Sequence, residues 1–334
     1  SAKCYGDELD HALIPEIFDL FLHAIQDDES FLYLNAVQGL AQMAMSWRDA
    51  VLRPLMAMYV GGDKTQDGMS HALSYGQELT QRETDQRLRI GEAILQVLQH
   101  LGEAVVSELD RIVPPLLTAV RNPLFSATLR SSFISILGTC VEIAPTALAA
   151  DRSSVHMVHM CTELIQATTE RRAIRQRSRV RASIQGVGAG GEVTERSLDD
   201  EDEEEAMWER EATSGTDRDV HRPQLRRAAL LLLLMLLRAT QEQLDDYRES
   251  CERDLDDIDA PLSALRLPGG GVLPDVHGRA KPTLPPLLVP VDVLGSVMPV
   301  VTYMAQEEAD NVVRVQAQDC IDHIRLVELA YIGL

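Results

Sequence analysis

A chain of 334 residues that is 45% hydrophobic can bury a core, but only 4% of its residues are aromatic. Aliphatic residues and Met must therefore fill that core, as they do where helices pack on helices. The net charge of −21 repels phosphate backbones, which argues against direct binding of nucleic acid. The same charge favours basic protein partners, although keeping a long protein in solution is its simpler explanation.

Apolar residues recur at helical spacing through the first half of the chain. They predict helices over about residues 11–25, 31–45, 48–60, 87–101, 105–120, 126–143 and 154–172. Residues 61–84 are polar and contain Gly, so we expect a connection there. Pro114 and Pro115 are expected to bend their helix rather than end it, and Pro145 is expected to end the preceding one. These helices make up a first module, residues 1–172.

Residues 173–221 differ in composition from the rest of the chain. An Arg-rich stretch (171–181) is followed by a Gly-rich run (186–191) and seven consecutive acidic residues (199–205). Low hydrophobicity with blocks of both charge signs predicts a disordered charged insertion. The Arg-rich stretch could serve nuclear import or partner contact, or could fold back on its own acids. Ser197, beside the acidic run, fits an acid-directed kinase site.

Helices are predicted to return at Pro223 and to form a second module, residues 222–334. The segment Ala228–Leu237 is entirely apolar but too short to span a membrane, so we expect a fully buried helix. A strongly acidic helix is expected after about residue 246, and a Pro/Gly-rich loop at 267–286. The last predicted pair of helices occupies residues 291–306 and 311–329.

A short signature returns along the chain and indicates a repeat. It places an acidic residue before an aliphatic-Arg pair and small residues, as DQRLRIGEA at 85–93 and DNVVRVQA at 310–317, with echoes at 129–133 and 225–229. Arg89 and Arg130 are 41 residues apart, within the range of HEAT repeats. We therefore predict an all-α, HEAT/armadillo-like α-solenoid of antiparallel helix pairs. In it, the Arg is expected to bridge to an Asp in the turn before its helix and to tie that turn to the next repeat, which is a structural role.

Motifs for chemistry are scarce. His156 and His159 would share a helix face, but Cys161 would point elsewhere and no carboxylate lies near, so ordinary helix histidines are the better interpretation. The glycine runs lack a phosphate-loop lysine, and no nucleophile-elbow or zinc-protease motif occurs. The five scattered cysteines indicate reduced thiols in an intracellular protein. We predict no catalytic, cofactor-binding or metal site, no cofactor and no enzyme activity.

Three segments carry a resemblance to a known family. DDESFLYLNAVQGL at 27–40, LRIGEAIL continuing to Glu103 at 88–103, and LRRAA at 225–229 resemble the C-terminal region of the RNA polymerase II assembly and nuclear-import factor, whose animal relative is a transport-and-Golgi-organisation protein. The last segment resembles the start of that family's second C-terminal module. The family has no catalytic residues to carry over.

The resemblance implies a cytoplasmic scaffold that shuttles to the nucleus. Its expected partners are RNA polymerase II subunits and nuclear-transport or assembly chaperone proteins, with no direct nucleic-acid binding and no membrane insertion. The alternative that it leaves open is a membrane-traffic adaptor that binds coat proteins. Because the chain begins at Ser1 rather than Met, we expect a fragment or a processed form.

Overall fold

The computed structural model describes residues 13–27, 29–61, 79–166, 223–256 and 284–333. In these residues all regular secondary structure is helical and there is no strand, which confirms the predicted all-α class. The charged insertion, Ser197, both glycine runs, Cys4 and most of the 267–286 loop lie outside the described residues.

Eleven α-helices are described in these ranges, with a 3₁₀ segment, Gly102–Glu108, between α4 and α5. They are α1 Leu13–Ile25, α2 Ser30–Ser46, α3 Arg48–Val60, α4 Gln81–Leu101, α5 Leu109–Arg121, α6 Ala127–Ile143, α7 Pro145–Ala150, α8 (residues 153–166), α9 Pro223–Asp256, α10 Val291–Glu307 and α11 Asn311–Ile332.

The helices pack in an order that repeats. In one row, called here the second-helix row, α2 packs on α4, α4 on α6, α6 on α9 and α9 on α11. The helices α1, α3, α5 and α10 each pack on the member of that row that follows them in sequence. Short connections between α1 and α2, α5 and α6, and α10 and α11 make those pairs antiparallel. Stacking of this kind is compatible with the predicted α-solenoid.

Two helix boundaries differ from the sequence prediction because of capping. The helix α4 begins at Gln81 rather than near residue 87, since the Thr80 hydroxyl accepts from the Glu83 backbone N–H and the Glu83 carboxylate accepts from Thr80. This reciprocal capping box satisfies two N–H groups of the first turn. Pro145 does not merely end a helix: it begins α7, where its fixed φ suits the first turn.

Two further differences concern long segments. The helix predicted over 105–120 is divided into the 3₁₀ segment and α5, after Gly102 takes a positive φ of 54°. Pro114 and Pro115 lie inside α5 and do not end it, as expected. The acidic segment after residue 246 is not a separate helix, because α9 continues unbroken to Asp256.

The predicted buried segment of α9 is mostly confirmed. Between Ala228 and Leu237 the structure buries seven residues, leaves Ala228 and Met235 half-buried and exposes Leu231. The buried residues face α6 on one side and α11 on the other. This central position explains why the segment is apolar around nearly the whole helix.

Two Arg residues of the signature, Arg89 and Arg130, have the structural role that was predicted, whereas Arg314 is exposed and donates to Asn311 of its own helix. Arg89 donates to the backbone oxygens of Gln26 (3.1 Å) and Asp27 (2.9 Å) in the turn between α1 and α2. These bonds go to carbonyl groups of the preceding helix pair. Arg130 likewise donates to the Val120 oxygen at the end of α5. Each of these two Arg residues satisfies carbonyl groups that a helix end leaves without an intrahelical partner.

Candidate protein-binding surface

The first turns of α2 expose large apolar side chains. Phe31 is 73% exposed and Leu34 is 56% exposed, and Met45 is exposed three turns further along the same helix. Residues 31, 34, 38 and 45 follow helical spacing and therefore share one face. The opposite face of α2 is buried through residues such as Val37 and Leu40. An apolar cluster that the protein's own core leaves uncovered is typical of a protein-interaction site.

The same helix pair carries acidic side chains, and the half-buried Arg89 of α4 is the cation at its turn. Residues 13–46, which form α1 and α2, contain five Asp or Glu and no Lys or Arg. Glu16, Asp19, Asp27 and Glu29 are all exposed. The adjoining helix α4 adds Glu92, which is exposed as well. A partner that covers the apolar face of α2 therefore meets more exposed acids than cations.

Contacts with α4 fix the position of this face. Arg89 holds the turn that precedes α2, as described above. Tyr33 of α2 is half-buried against α4, and burial together with the neighbouring Glu92 carboxylate raises the pKa of Tyr33 above its usual range. Gln42 Nε2 lies 2.9 Å from His100 Nε2 at the other end of α4. Contacts at both ends thus keep α2 aligned with α4.

The far end of the second-helix row has a related but more mixed surface. Leu231 of α9 and Val312 and Val315 of α11 are exposed. Further along α9, the acids Glu242 and Asp245 are exposed as well. Unlike the first pair, α11 also carries the exposed cations Arg314 and Arg325, so its surface has no single charge sign.

A groove lies between α3 and α5, two helices that are not part of the second-helix row. Its volume is about 550 Å³, and its floor is formed by Leu52, Met56 and Ile112. The Arg111 guanidinium pairs with Asp49 and Glu108 at its rim. The groove is largely apolar and its rim is balanced in charge, so it offers an apolar pocket without a group suited to chemistry.

The residues weighed for a metal site are separated in the structure. His156 and His159 are exposed, whereas Cys161 is buried on another side of α8. Among the described residues, no group of three or more His, Cys, Asp or Glu could hold a metal ion. Burial raises the pKa of Cys140 and of Cys320 to about 12 and also raises that of Cys161, so these thiols stay protonated and unreactive at neutral pH.

The sequence pattern did not single out Phe31 and Leu34 as surface residues. Helical spacing indicates which residues share a face, and α2 is apolar on more than one face, so spacing alone could not separate core from surface. The sequence did contain one signal for this surface, which is that residues 13–46 include five acidic residues and no Lys or Arg.

None of the helices that the structure describes is long and apolar enough to cross a membrane.

Comparison with known families supports the resemblance noted from the sequence. Residues 5–104 match the family model described as "Required for nuclear transport of RNA pol II C-terminus 1". The matched residues include α1 to α4, and hence the exposed face of α2. No solved structure matches the chain. Through residues 5–104 the chain is therefore similar to the RNA polymerase II nuclear-transport factor family.

Proposed function

We propose that this chain is a protein-binding scaffold that assists assembly of RNA polymerase II and its import into the nucleus. The observation that carries the proposal is the coincidence of the family match with an exposed apolar and acidic surface on α1, α2 and α4. The family links the chain to nuclear transport of the polymerase, and the surface has the chemistry of a protein-binding site rather than of a catalytic one.

The proposed mechanism is temporary shielding of subunit surfaces. Acidic side chains along the helices attract basic surfaces of unassembled polymerase subunits, and exposed apolar residues such as Phe31 then contact them. Interfaces of this kind associate faster at low salt because charges steer the encounter. Import factors or assembly chaperones bind the loaded scaffold, which moves between cytoplasm and nucleus. No enzyme activity, cofactor, nucleic-acid contact or membrane insertion is part of the proposal.

The proposed organisation has two helical modules, residues 1–172 and 222–334, joined by the charged insertion 173–221. The two modules supply the helices of a HEAT-type solenoid, and the second corresponds to the family's second C-terminal module. Continuous stacking of α6 on α9 and of α9 on α11 supports contact between the modules.

Affinity purification tests the proposed function. The chain, with and without residues 173–221, is recovered from cytosolic extract and its partners are identified by mass spectrometry. We expect polymerase subunits together with import factors, and binding that weakens between low and high salt. Recovery of coat proteins without polymerase would instead favour a membrane-traffic adaptor. Loss of polymerase on deletion would assign part of the binding to the insertion.

A further inference from the structure

We infer that the exposed face of α2 is the docking site for a basic amphipathic helix of a partner protein. This inference rests on the proposed function and names the chemistry of the partner segment. The face is defined by Phe31, Leu34, Gln38 and Met45, with Glu29 before the first turn of α2 and Glu92 of α4 beside Tyr33 of the same helix as the face. It lies within the residues that match the family.

The apolar part of the face argues for a helix as the occupant. Met45 lies 14 positions after Phe31, which corresponds to about 21 Å along a helix axis. A partner helix of about four turns covers that length with side chains at i, i+3, i+4 and i+7. An added β-strand has no edge to join, because the described residues contain no strand.

The charges argue for a basic occupant. The exposed acids of α1 and α2 have no Lys or Arg in their own helix pair, and Glu92 borders α2 beside Tyr33. A helix with Lys or Arg along its flanks would bring cations to these carboxylates, whereas an acidic helix would be repelled. Two copies of this chain joined through the face would bring Glu29 and its neighbours together with their like-charged counterparts.

The exposed apolar residues and the acidic residues belong to different segments, so they are two separate observations. Phe31 and Leu34 are exposed because the buried side of α2 is already occupied by packing on α1, α3 and α4. The acids instead lie on α1, in the turn and on α4. Both features meet at the first half of α2, where the Arg89 bonds to the turn fix the backbone.

Fluorescence anisotropy with designed peptides tests the inference on the full 334-residue chain. The probe is a labelled 18-residue peptide with Leu at i, i+3, i+4 and i+7 and Lys at the remaining positions. One control peptide replaces every Lys by Glu, and a second has the same composition with the helical spacing destroyed. We expect saturable binding of the first peptide and at least about tenfold weaker binding of both controls, equivalent to about 1.4 kcal/mol.

Protein variants locate the binding. Phe31→Ser with Leu34→Ser removes exposed apolar atoms, and we expect the dissociation constant to rise about tenfold or more. Glu29→Gln with Glu92→Gln keeps the apolar face, and we expect weaker binding with a smaller salt dependence. The matched control is Val312→Ser with Val315→Ser, two exposed apolar residues of α11, for which we expect no change. Circular dichroism verifies the helical content of every variant, and the charge variant serves if the apolar one unfolds.

Each outcome decides the inference. Equal binding of the acidic or scrambled peptide, or equal loss in the α11 control, would overturn it. The inference would also be overturned if wild type is a dimer in analytical ultracentrifugation and the Phe31→Ser, Leu34→Ser variant is a monomer, because a second copy would then be the occupant. If that variant loses the peptide but still recovers polymerase, the proposed function stands and the docking inference fails for polymerase. If wild type binds the peptide but recovers no polymerase, the proposed function fails instead.

Discussion

At the scale of single residues, the core depends on a few close contacts around Tyr59. This side chain is fully buried between α3, α4 and α6: its hydroxyl lies 2.7 Å from the Ser132 hydroxyl, and its ring meets the Phe133 ring edge-on at 4.7 Å. Gly91 of α4 lies against the ring. In a chain with so few aromatic residues, this cluster fixes how three helices approach one another.

Substitution of Gly91 tests that approach. A Cβ at this position would lie 2.7 Å from the Tyr59 ring, so Gly91→Ala must displace a buried and hydrogen-bonded side chain. We expect the free energy of unfolding to fall by about 1–3 kcal/mol, measured by urea denaturation. Gly295→Ala in α10 is the control, since nothing lies within 4 Å of its Cβ, and the helix propensity of Ala should stabilise it by about 1 kcal/mol or less. Equal effects of both substitutions would contradict the close-packing argument.

His323 of α11 contacts two polar side chains of α9 where these helices pack. Its ring nitrogens lie 3.3 Å from Arg238 Nε and 3.2 Å from Gln241 Oε1. Burial, and then the positive charge of Arg238, lower the pKa of His323, although Asp319 and Asp322 of its own helix oppose the shift. Neutral imidazole can accept from Arg238, whereas the protonated ring cannot.

We therefore expect this contact to stabilise the fold above the ordinary histidine pKa of about 6.5. The contribution is lost as the pH falls below that value and through the lowered folded-state pKa, because the unfolded chain binds the proton more readily. Urea denaturation between pH 7.5 and pH 5 measures the effect. The decline in unfolding free energy should be steeper for wild type than for His323→Gln; parallel profiles would show that His323 does not contribute.

At the scale of the elements, helix existence was predictable from the sequence and helix ends were less so. The third helix was predicted at residues 48–60 and is found there, because its apolar spacing and Gly61 mark it clearly. The start of α4 was missed by six residues, since the Thr80 capping box lies in a polar stretch without apolar periodicity. The length of α9 was missed because the change from apolar to acidic residues near residue 246 was interpreted as the start of a new helix, although no Gly or Pro there ends α9.

Ion pairs between elements differ sharply in their surroundings. Arg226 of α9 pairs with Glu308 before α11, and both are buried, at 7% and 4% exposure. Next to them, Arg227 pairs with Asp310, and that hydrogen bond lowers the pKa of the Asp310 carboxyl. Asp310 also caps α11 by accepting from the backbone N–H groups of Val312 and Val313. The start of α11 is therefore fixed to α9 by charge.

Removal of one partner should reveal the difference between buried and exposed pairs. We expect Arg226→Met to lower the free energy of unfolding by about 3–5 kcal/mol, because Glu308 would remain buried without its cation. Arg226→Met with Glu308→Leu should recover much of that loss. The exposed pair is the control: Arg111→Ala, which removes the partner of Asp49, should cost about 1 kcal/mol or less. Thermal and urea denaturation of the four proteins measure this, and an undiminished loss in the double variant would contradict it.

At the scale of the whole molecule, the fold class and the resemblance to a family could be predicted from the sequence, whereas the exposed surface required the structure. Repeat spacing predicts stacked helix pairs because each pair buries its apolar face only against neighbours. It does not predict which apolar residues stay exposed, as Phe31 and Leu34 do, since that depends on the angles at which helices cross. The docking face of α2 was therefore visible only once the packing of α1 and α4 was known.

Net charge is the remaining whole-molecule property with a measurable consequence. With 52 Asp and Glu against 31 Lys and Arg, like-charge repulsion acts on the folded chain, and exposed pairs such as Arg111–Asp49 offset little of it. Added salt should therefore stabilise the fold: raising sodium chloride from about 0.01 M to about 0.15 M shortens the Debye length from about 30 Å to about 8 Å. We expect the melting temperature to rise over that range in calorimetry, and to rise less with sucrose at equal osmolality. A fall in melting temperature would show that attractive ion pairs outweigh the net repulsion, and would remove the electrostatic basis for preferring a basic partner.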